Sequence, residues 1–143
     1  MAKYIVQKEI EIQGSSQNVW LALTDPDYTR RYFFGCTVHS NWNEGDSIAF
    51  RRMVLWIFPF ELKGTIIHIN KGSLLQYSLK NSRSMSDSLV TIRLTENNGN
   101  TIVHVADDVG QGEGAPGRFN RSVKGWDKVL TGLKKTVEKE FIP

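Results

Sequence analysis

Apolar and polar residues alternate along the first stretch of the chain, KYIVQKEIEIQ, and this period of two predicts a half-buried strand. In the next stretch, SQNVWLALTD, the residues Val19, Trp20 and Leu23 lie at helical spacing behind a serine suited to capping a helix. A second short helix is predicted from TDPDYTRRYF, where an aspartate cap precedes Pro26 at the first helical position. The chain is therefore expected to begin with one strand and two short helices.

Short segments with strand-like alternation, separated by turn sequences, fill the middle of the chain. The turns are NEGD, NKGS and NNGN, and the last contains Asn98-Gly99, a strong hairpin signal. The predicted strands are CTVHSNW, DSIAFRRM, FELKGTIIHI, LLQYSLK, SLVTIRLTE and TIVHVAD. Turns that recur at such short intervals predict an antiparallel sheet built from sequential hairpins.

Apolar residues at spacings of three and four predict a long helix from Arg118 onward. Their stripe consists of Phe119, Val123, Trp126, Leu130, Leu133 and Val137. This helix is long enough to cover the apolar face of the predicted sheet. We therefore predict an α+β fold of the helix-grip type, in which a curved antiparallel sheet of about six to seven strands wraps around one long C-terminal helix and two short helices plug an end. Gly125 interrupts the stripe, and we interpret it as a point of close approach by a backbone or a ligand.

Length, charge and cysteine content narrow the class of protein. No repeat or boundary divides the 143 residues, so residues 1–143 are predicted to form a single domain. The net charge of +3 is too small to indicate nucleic acid binding, and aromatic residues are not interleaved with the lysines of the last helix. Cys36 is the only cysteine, which fits a reducing compartment. No signal-peptide pattern or membrane-length apolar run is present, and we predict a soluble, cytoplasmic protein.

Eight consecutive residues, from Met53 to Phe60, carry no polar side chain. They fall between two strands predicted to form a hairpin, so we expect both strands to extend into the run and one of its faces to reach the core. Pro59 removes a backbone donor and favours an edge or a bend over a central strand. The alternatives for an apolar hairpin tip are packing against a neighbouring element, shielding of a cavity mouth, a dimer contact and a membrane contact. Of these we predict a gate, or a patch for homodimerisation through Met53 to Phe60.

Five segments occur in an order that resembles the family of activators of the heat-shock-protein-90 ATPase. They are VWLALTDPDYTRRYFFG, NWNEGD, GTIIHI, LLQYSL and GWDKVLTGLKKTVE. Trp20, Trp42, Gly45-Asp46, Gly64 and Gly125-Trp126 fall on recurring positions of that family. The family is part of the START-like helix-grip superfamily, so the resemblance implies the same fold that the periodicity predicts. In members of the family the final strand often ends in a histidine. The resemblance aligns Asp107 with that position, so this chain departs from the family pattern there.

The resemblance implies three kinds of function. Relatives in the superfamily bind apolar molecules, so the first expectation is a helix-grip protein that holds a small apolar ligand such as a lipid, a sterol or a polyketide-like molecule. The second is a chaperone-linked interaction protein, with heat-shock protein 90 as its partner. The third is an enzyme of the cyclase or hydratase type that is found among superfamily relatives.

Aromatic residues from elements that should converge are the candidate lining of a ligand pocket, since apolar pockets with few polar groups are the common small-molecule site. Alternation with Ile48 and Phe50 directs Arg52 inward, unless a bulge shifts the register. A buried arginine requires an anionic partner such as a ligand carboxylate, and we expect a similar polar role for His68. The predicted ligand-binding residues are Phe50, Arg52, Trp56, Phe58, His68, Tyr77, Phe119 and Trp126. The alternative is that these side chains fill the core.

Other motifs do not indicate catalysis, a metal or a cofactor. The segment GEGAPG matches a dinucleotide-binding pattern, but no parallel strand follows it. We interpret it as a mobile loop that acts as a lid beside the cavity mouth. Asp107 and Asp108 should point to opposite faces of a strand, and we expect a solvated strand end. The three histidines are isolated and no nucleophile-elbow motif occurs, so no metal ligand or catalytic residue is predicted.

Overall fold

The computed structural model describes residues 4–80 and 87–141. Its elements, in chain order, are β1 (Ile5–Gln13), α1 (Ser16–Thr24), α2 (Pro26–Tyr32), β2 (Thr37–Ser40), β3 (Ser47–Val54), β4 (Phe58–Asn70), β5 (Leu74–Lys80), β6 (Asp87–Asn97), β7 (Asn100–Asp108) and α3 (Ala115–Phe141).

The strands form one antiparallel sheet in the order β1-β7-β6-β5-β4-β3-β2. From β2 to β7 each strand pairs with the next along the chain, as the closely spaced turns predict. The strand β1 returns to pair with β7 at the far edge. The predicted helix-grip fold, with two short helices after β1 and a long C-terminal helix, is confirmed.

The two short helices begin where the capping residues predict. The hydroxyl of Ser15 accepts a hydrogen bond of 3.1 Å from the backbone N–H of Asn18, which satisfies one of the unpaired donors of the first turn of α1. The carboxylate of Asp25 accepts one of 2.8 Å from the N–H of Asp27 and caps α2, with Pro26 in the first turn. Tyr32, the last residue of α2, donates its hydroxyl to the carbonyl of Ala22 at 2.8 Å, which ties the two helices together.

The helix α3 packs its apolar stripe against β1 and both short helices. The stripe side chains Leu133 and Val137 are fully buried. The helix begins at Ala115, three residues before the predicted start, so the last three residues of GEGAPG are helical rather than loop. Proline is compatible with a first helical turn because its missing N–H has no partner there.

The remaining loop, residues 109–114, is held by one side chain of α3. The guanidinium of Arg118 donates to the carbonyls of Val109 at 2.9 Å, Gln111 at 3.2 Å and Glu113 at 3.2 Å. These bonds restrain the loop at the point where the sheet passes into α3. The lid role for this loop stays a prediction.

Beyond the sheet, β3 and β4 continue as a two-stranded ribbon, which we define as residues 52–60. The pairing of β2 with β3 ends at Arg51, and β5 pairs with β4 only from Gly64 onward. Pro59 pairs with Met53 in this ribbon, where its other edge has no neighbouring strand among the described residues. The expected extension of both strands is confirmed, and Pro59 lies on an edge as predicted.

The ribbon does not reach the core, so the prediction that one of its faces does so is wrong. Trp56 is 94% exposed and Phe58 is 59% exposed. The ribbon extends past its described neighbours in the sheet, since β2 pairs with β3 only as far as Arg51 and β5 pairs with β4 only from Gly64 onward. At the turn, Leu55 and Trp56 adopt left-handed backbone angles, with φ of 53° and 64°. Such angles cost a residue with a side chain roughly 1–2 kcal/mol.

Candidate functional site

An aromatic cluster fills the space between α3 and the sheet. The ring of Phe33, just after α2, stacks on Phe50 of β3 with centroids 4.6 Å apart and an interplanar angle of 15°. Phe33 also meets Trp126 of α3 edge to face at 6.3 Å. On the other side, Phe50 lies 5.8 Å from Tyr77 of β5. Three elements and the segment after α2 therefore bring aromatic side chains to one place, and three of these residues belong to the predicted ligand-binding set.

The cluster leaves little free space. The cavity that these four rings line has a volume of about 20 Å³, which is enough for about one water molecule. Phe50, Tyr77 and Trp126 are all buried. In this conformation they fill the core, as the alternative interpretation expected.

A buried carboxylate adjoins the cluster. Asp107, near the end of β7, is only 7% exposed. Its Oδ2 accepts a hydrogen bond of 2.6 Å from the hydroxyl of Ser122 and one of 3.0 Å from the indole N–H of Trp126. Its Oδ1 is buried and has no hydrogen-bond partner among the described residues. The expectation of a solvated strand end is therefore wrong for Asp107.

Position along the strand explains this burial. Inward and outward side chains alternate along β7, and Val103, Val105 and Asp107 share the inward face. Asp108 points to the opposite face, as predicted, where its carboxylate accepts a hydrogen bond of 3.0 Å from the N–H of Gly110. Because α3 packs over the end of β7, the inward position is covered.

Burial raises the pKa of the Asp107 carboxyl above its usual range. The hydrogen bonds from Ser122 and Trp126 favour the carboxylate and oppose this shift, whereas the nearby charge of Asp108 adds to it. A carboxyl in this setting can accept a hydrogen bond when ionised and donate one when protonated. Both forms offer a polar contact inside an otherwise apolar interior.

Phe119 lies on the same helix, one turn before Ser122 and two turns before Trp126. It is half-buried and its ring meets Tyr4 edge to face at 6.1 Å. Of the eight predicted ligand-binding residues, the structure thus places four at the interior or its edge, namely Phe50, Tyr77, Phe119 and Trp126. Trp56 and Phe58 lie apart from them on the ribbon.

Arg52 lies on the predicted face but is not buried. Pairing between β3 and β4 runs without a shift from Ser47 to Val54, so no bulge turns Arg52 away from the face of Phe50. Its guanidinium donates to the carbonyl of Phe34 at 2.9 Å and lies 5.7 Å from the ring centroid of Phe60. The expected buried arginine is therefore absent, because the strand has already passed the edge of the core.

His68 lies away from the aromatic cluster. A register shift between Ile66 and His68 interrupts the pairing of β4 with β5, and the His68 side chain is exposed. Its Nδ1 lies 3.5 Å from the carboxylate of Glu44. The polar partner of His68 is thus a surface carboxylate rather than the interior.

Sequence reasoning missed Phe33, the ring in contact with both Phe50 and Trp126. It is followed by Phe34 and Gly35, with φ of 52° and 75°, so the chain makes a left-handed bend directly after it. The signal for this arrangement is the pair of aromatic residues between a short helix and a glycine in RRYFFG. Within residues 4–80 and 87–141, no group of three or more His, Cys, Asp or Glu side chains is placed to hold a metal ion.

Sequence comparison identifies one family. The family described as Activator of Hsp90 ATPase homolog 1-like protein matches residues 14–138, and no curated protein matches the chain. In the described part of the chain, no helix has both the length and the apolar character needed to cross a membrane.

Solved structures share the fold over nearly the whole chain. A solution structure of a protein from Cytophaga hutchinsonii is 32% identical, with a TM-score of 0.76, and the match covers 98% of this chain and 97% of that one. A crystal structure of a protein from Mesorhizobium loti is 16% identical, with a TM-score of 0.81 and coverage of 96% and 99%. Another, from Nitrosomonas europaea, is 15% identical, with a TM-score of 0.80 and coverage of 98% and 97%.

Proposed function

The chain belongs to the Activator of Hsp90 ATPase homolog 1-like family, and we propose that it binds a small, mostly apolar molecule between α3 and the sheet. The observation that carries this proposal is the buried Oδ1 of Asp107 beside the aromatic cluster, which has no hydrogen-bond partner within residues 4–80 and 87–141. A polar atom left unpaired in a protein interior costs about 1–3 kcal/mol. A ligand that donates a hydrogen bond to Oδ1 would recover that cost. Ligand sites typically combine apolar walls with a few placed polar groups.

Binding requires the interior to open, because a cavity of about 20 Å³ cannot hold such a molecule. Phe33 is the side chain best placed to move. It lies between Phe50 and Trp126, outside regular secondary structure and directly before the left-handed bend at Phe34 and Gly35. We infer that outward rotation of Phe33 exchanges its ring for the ligand, while Phe50, Tyr77 and Trp126 remain as walls.

The carboxylate narrows the chemistry of the ligand. A hydroxyl or amine can donate to Oδ1 of Asp107, so a hydroxylated lipid, a sterol or a polyketide-like phenol fits the site. A fatty-acid carboxylate would instead meet like charge when Asp107 is ionised. We therefore propose an apolar ligand with a hydrogen-bond donor rather than a carboxylate at its polar end.

The test is a ligand screen on the purified protein. Native mass spectrometry reports a molecule that co-purifies, and amide NMR shifts report binding when a sterol, a flavonoid and a fatty acid are titrated. We expect shifts for Phe50, Tyr77 and Trp126 with the hydroxylated ligands. A mass equal to that of the chain alone, together with unchanged shifts in all three titrations, would refute the proposal.

Two variants test the role of Asp107 in ligand choice. In Asp107→Asn, the amide oxygen is expected to keep the bonds from Ser122 and Trp126, which turns the NH₂ group toward the position of Oδ1. The site then offers a donor, so affinity should fall for hydroxylated ligands and rise for the fatty acid. Asp108→Asn is the matched control, since its side chain is on the opposite face and should leave both affinities unchanged.

The family description supports a second candidate, stimulation of a chaperone ATPase by direct contact. The heat-shock-protein-90 ATPase rate, measured with increasing amounts of this protein, tests it. A rate that stays flat would remove this candidate and leave the ligand-binding proposal untouched.

A further inference from the structure

Six large apolar side chains of the ribbon, residues 52–60, are exposed. They are Met53, Leu55, Trp56, Ile57, Phe58 and Phe60. Single exposed apolar residues are ordinary on protein surfaces, but a contiguous group of this kind marks a contact with another apolar phase or partner. The ribbon therefore needs an occupant, and its geometry and charge indicate which kind.

The apolar side chains surround the ribbon rather than covering one side of it. Directly paired residues of an antiparallel ladder share a face, so Val54 and Phe58 lie on one face, and Met53 and Pro59 lie on the other. The turn residues, including Trp56, extend past both faces. A flat protein surface would cover one face and leave the other in water, whereas a lipid phase can surround the whole tip.

The length of the ribbon fits the depth of a membrane interface. Beyond the pair of Arg51 with Glu61, three further residue pairs precede the turn. At about 3.3 Å per residue, the ribbon extends roughly 10 Å from this pair. Interfacial protein segments bury their apolar parts about 5–10 Å into the headgroup and acyl boundary, where tryptophan is enriched.

Cations surround the base of the ribbon. A groove of about 720 Å³ at this level is lined by Arg30, Arg51 and Arg52, with Glu61 as a carboxylate. Glu61 pairs with Arg51 and, at 3.4 Å, with Lys63. Within the described ranges, neither Arg30 nor Arg52 forms a salt bridge. Guanidinium groups bind phosphate through two parallel hydrogen bonds, so this base is complementary to anionic headgroups.

We propose that the ribbon inserts into the surface of a membrane that contains anionic phospholipids, with the apolar tip at the acyl boundary and the arginines of its base on headgroup phosphates. This inference uses residues different from those of the interior site. It therefore stands or fails independently of ligand binding between α3 and the sheet.

Vesicle co-sedimentation tests the proposal. We expect the protein to bind vesicles of phosphatidylcholine mixed with phosphatidylglycerol, and to bind pure phosphatidylcholine more weakly. The double variant Trp56→Ser with Phe58→Ser should lose at least about tenfold in affinity, because apolar area drives insertion. Ile67→Ser, which changes an exposed apolar residue of β4 outside the ribbon, should bind as the unaltered protein does.

The arginines are tested separately. Arg30→Gln with Arg52→Gln should weaken binding to the anionic vesicles and leave binding to pure phosphatidylcholine unchanged. Raising the salt from about 0.1 M to 1 M shortens the screening length from about 10 Å to 3 Å, and should reduce the binding of the unaltered protein toward that of the arginine variant. Equal binding by all variants, or no binding to anionic vesicles, would overturn the proposal.

Brominated acyl chains report where the tip lies. Trp56 is far more exposed than the buried Trp20 and Trp126, so we expect brominated vesicles to quench mainly its fluorescence. Trp56→Phe keeps an apolar tip and should still bind, but the quenching should disappear. If the unaltered chain instead forms a dimer in solution that the Trp56→Ser and Phe58→Ser variant dissolves, and no vesicle binding occurs, the occupant is a second copy and the membrane proposal is wrong.

Discussion

The indole N–H of Trp126 donates a hydrogen bond of 3.0 Å to Oδ2 of Asp107 and so joins the middle of α3 to the end of β7. Ser122, one turn earlier on α3, donates to the same oxygen. Both donors converge on Oδ2, which leaves Oδ1 as the buried atom without a partner in the described part of the chain. The two hydrogen bonds to Oδ2 therefore attach α3 to the sheet and also keep Oδ1 of Asp107 buried in the interior.

The first prediction concerns the pH dependence of stability. Burial raises the folded-state pKa of Asp107, so the folded protein binds its proton more tightly than the unfolded chain does. The resulting stabilisation is complete below the unfolded pKa of about 3.9 and is lost as the pH rises through the folded pKa. We therefore expect the contribution of Asp107 to the free energy of unfolding to fall as the pH rises across this range.

Denaturant unfolding of the unaltered protein and of Asp107→Asn at several pH values measures this effect. The difference between the two free energies of unfolding should change with pH in favour of the variant as the pH rises, because other titrating groups are common to both and cancel. Asp108→Asn removes only the smaller contribution to the raised pKa of Asp107, so its stability should depart from that of the unaltered protein less than that of Asp107→Asn does. If Asp107→Asn runs parallel to the unaltered protein, the Asp107 carboxyl does not titrate with a raised pKa.

The second prediction isolates the bond between Trp126 and Asp107. Trp126→Phe keeps an aromatic ring in the cluster but removes one of the two donors to a buried carboxylate, so it should destabilise the fold by about 1–3 kcal/mol. When Trp126→Phe is made in the Asp107→Asn background it should destabilise the fold less, because a hydrogen bond to a neutral amide oxygen is weaker than one to a carboxylate. A double-mutant cycle from urea unfolding gives the coupling energy. Trp20→Phe is the control, since it alters another buried indole. A double-mutant cycle that combines it with Asp107→Asn should give a coupling energy near zero.

The third prediction compares two glycines on one helix. A Cβ at Gly132 would lie 2.6 Å from the Cβ of Tyr32, whereas one at Gly125 would lie 3.6 Å from the ring of Phe34. The close approach thus occurs at Gly132 rather than at Gly125, where sequence reasoning placed it. Gly125→Ala should gain up to about 1 kcal/mol from helix propensity. Gly132→Ala should lose stability, because overpacking costs about 1–3 kcal/mol.

Thermal unfolding of the two variants decides this point. Each variant is the control for the other, since both substitutions add one methyl group to α3. A melting temperature that rises for Gly132→Ala would mean that α2 and α3 can separate locally without loss of packing.

Local periodicity predicted the fold because each element carries its own signal. Ser15 and Asp25 cap the short helices, and alternation assigns Arg52 to the face of Phe50. Burial was harder to predict because it depends on distant parts of the chain. Asp107 is covered by a helix that follows it. The ribbon extends beyond the pairings that the described residues of β2 and β5 make. Phe33 lies outside any periodic segment, so its position depends on the bend that follows it.

The fourth prediction concerns the turn of the ribbon. The β6–β7 and β3–β4 hairpins each place two consecutive residues with positive φ at the turn, but they use different residue types. The β6–β7 hairpin has Asn98 and Gly99 with φ of 56° and 83°, whereas the β3–β4 hairpin has Leu55 and Trp56 at 53° and 64°. Asparagine and glycine suit such turns, and leucine and tryptophan do not. The apolar turn therefore carries a conformational cost that the other turn avoids.

Replacing Leu55-Trp56 by Asn-Gly should relieve that cost and raise the free energy of unfolding by about 1–2 kcal/mol. If the tip enters a membrane, the same variant should lose vesicle binding, so stability and function would change in opposite directions. Urea unfolding and vesicle co-sedimentation of one protein sample measure both quantities. Leu55→Asn with Trp56 retained separates the effect on stability from the effect on vesicle binding. It relieves part of the conformational cost of the turn and keeps Trp56, the most exposed aromatic side chain of the ribbon. A less stable Asn-Gly variant would mean that the apolar tip packs on the protein itself and is ordinary structure.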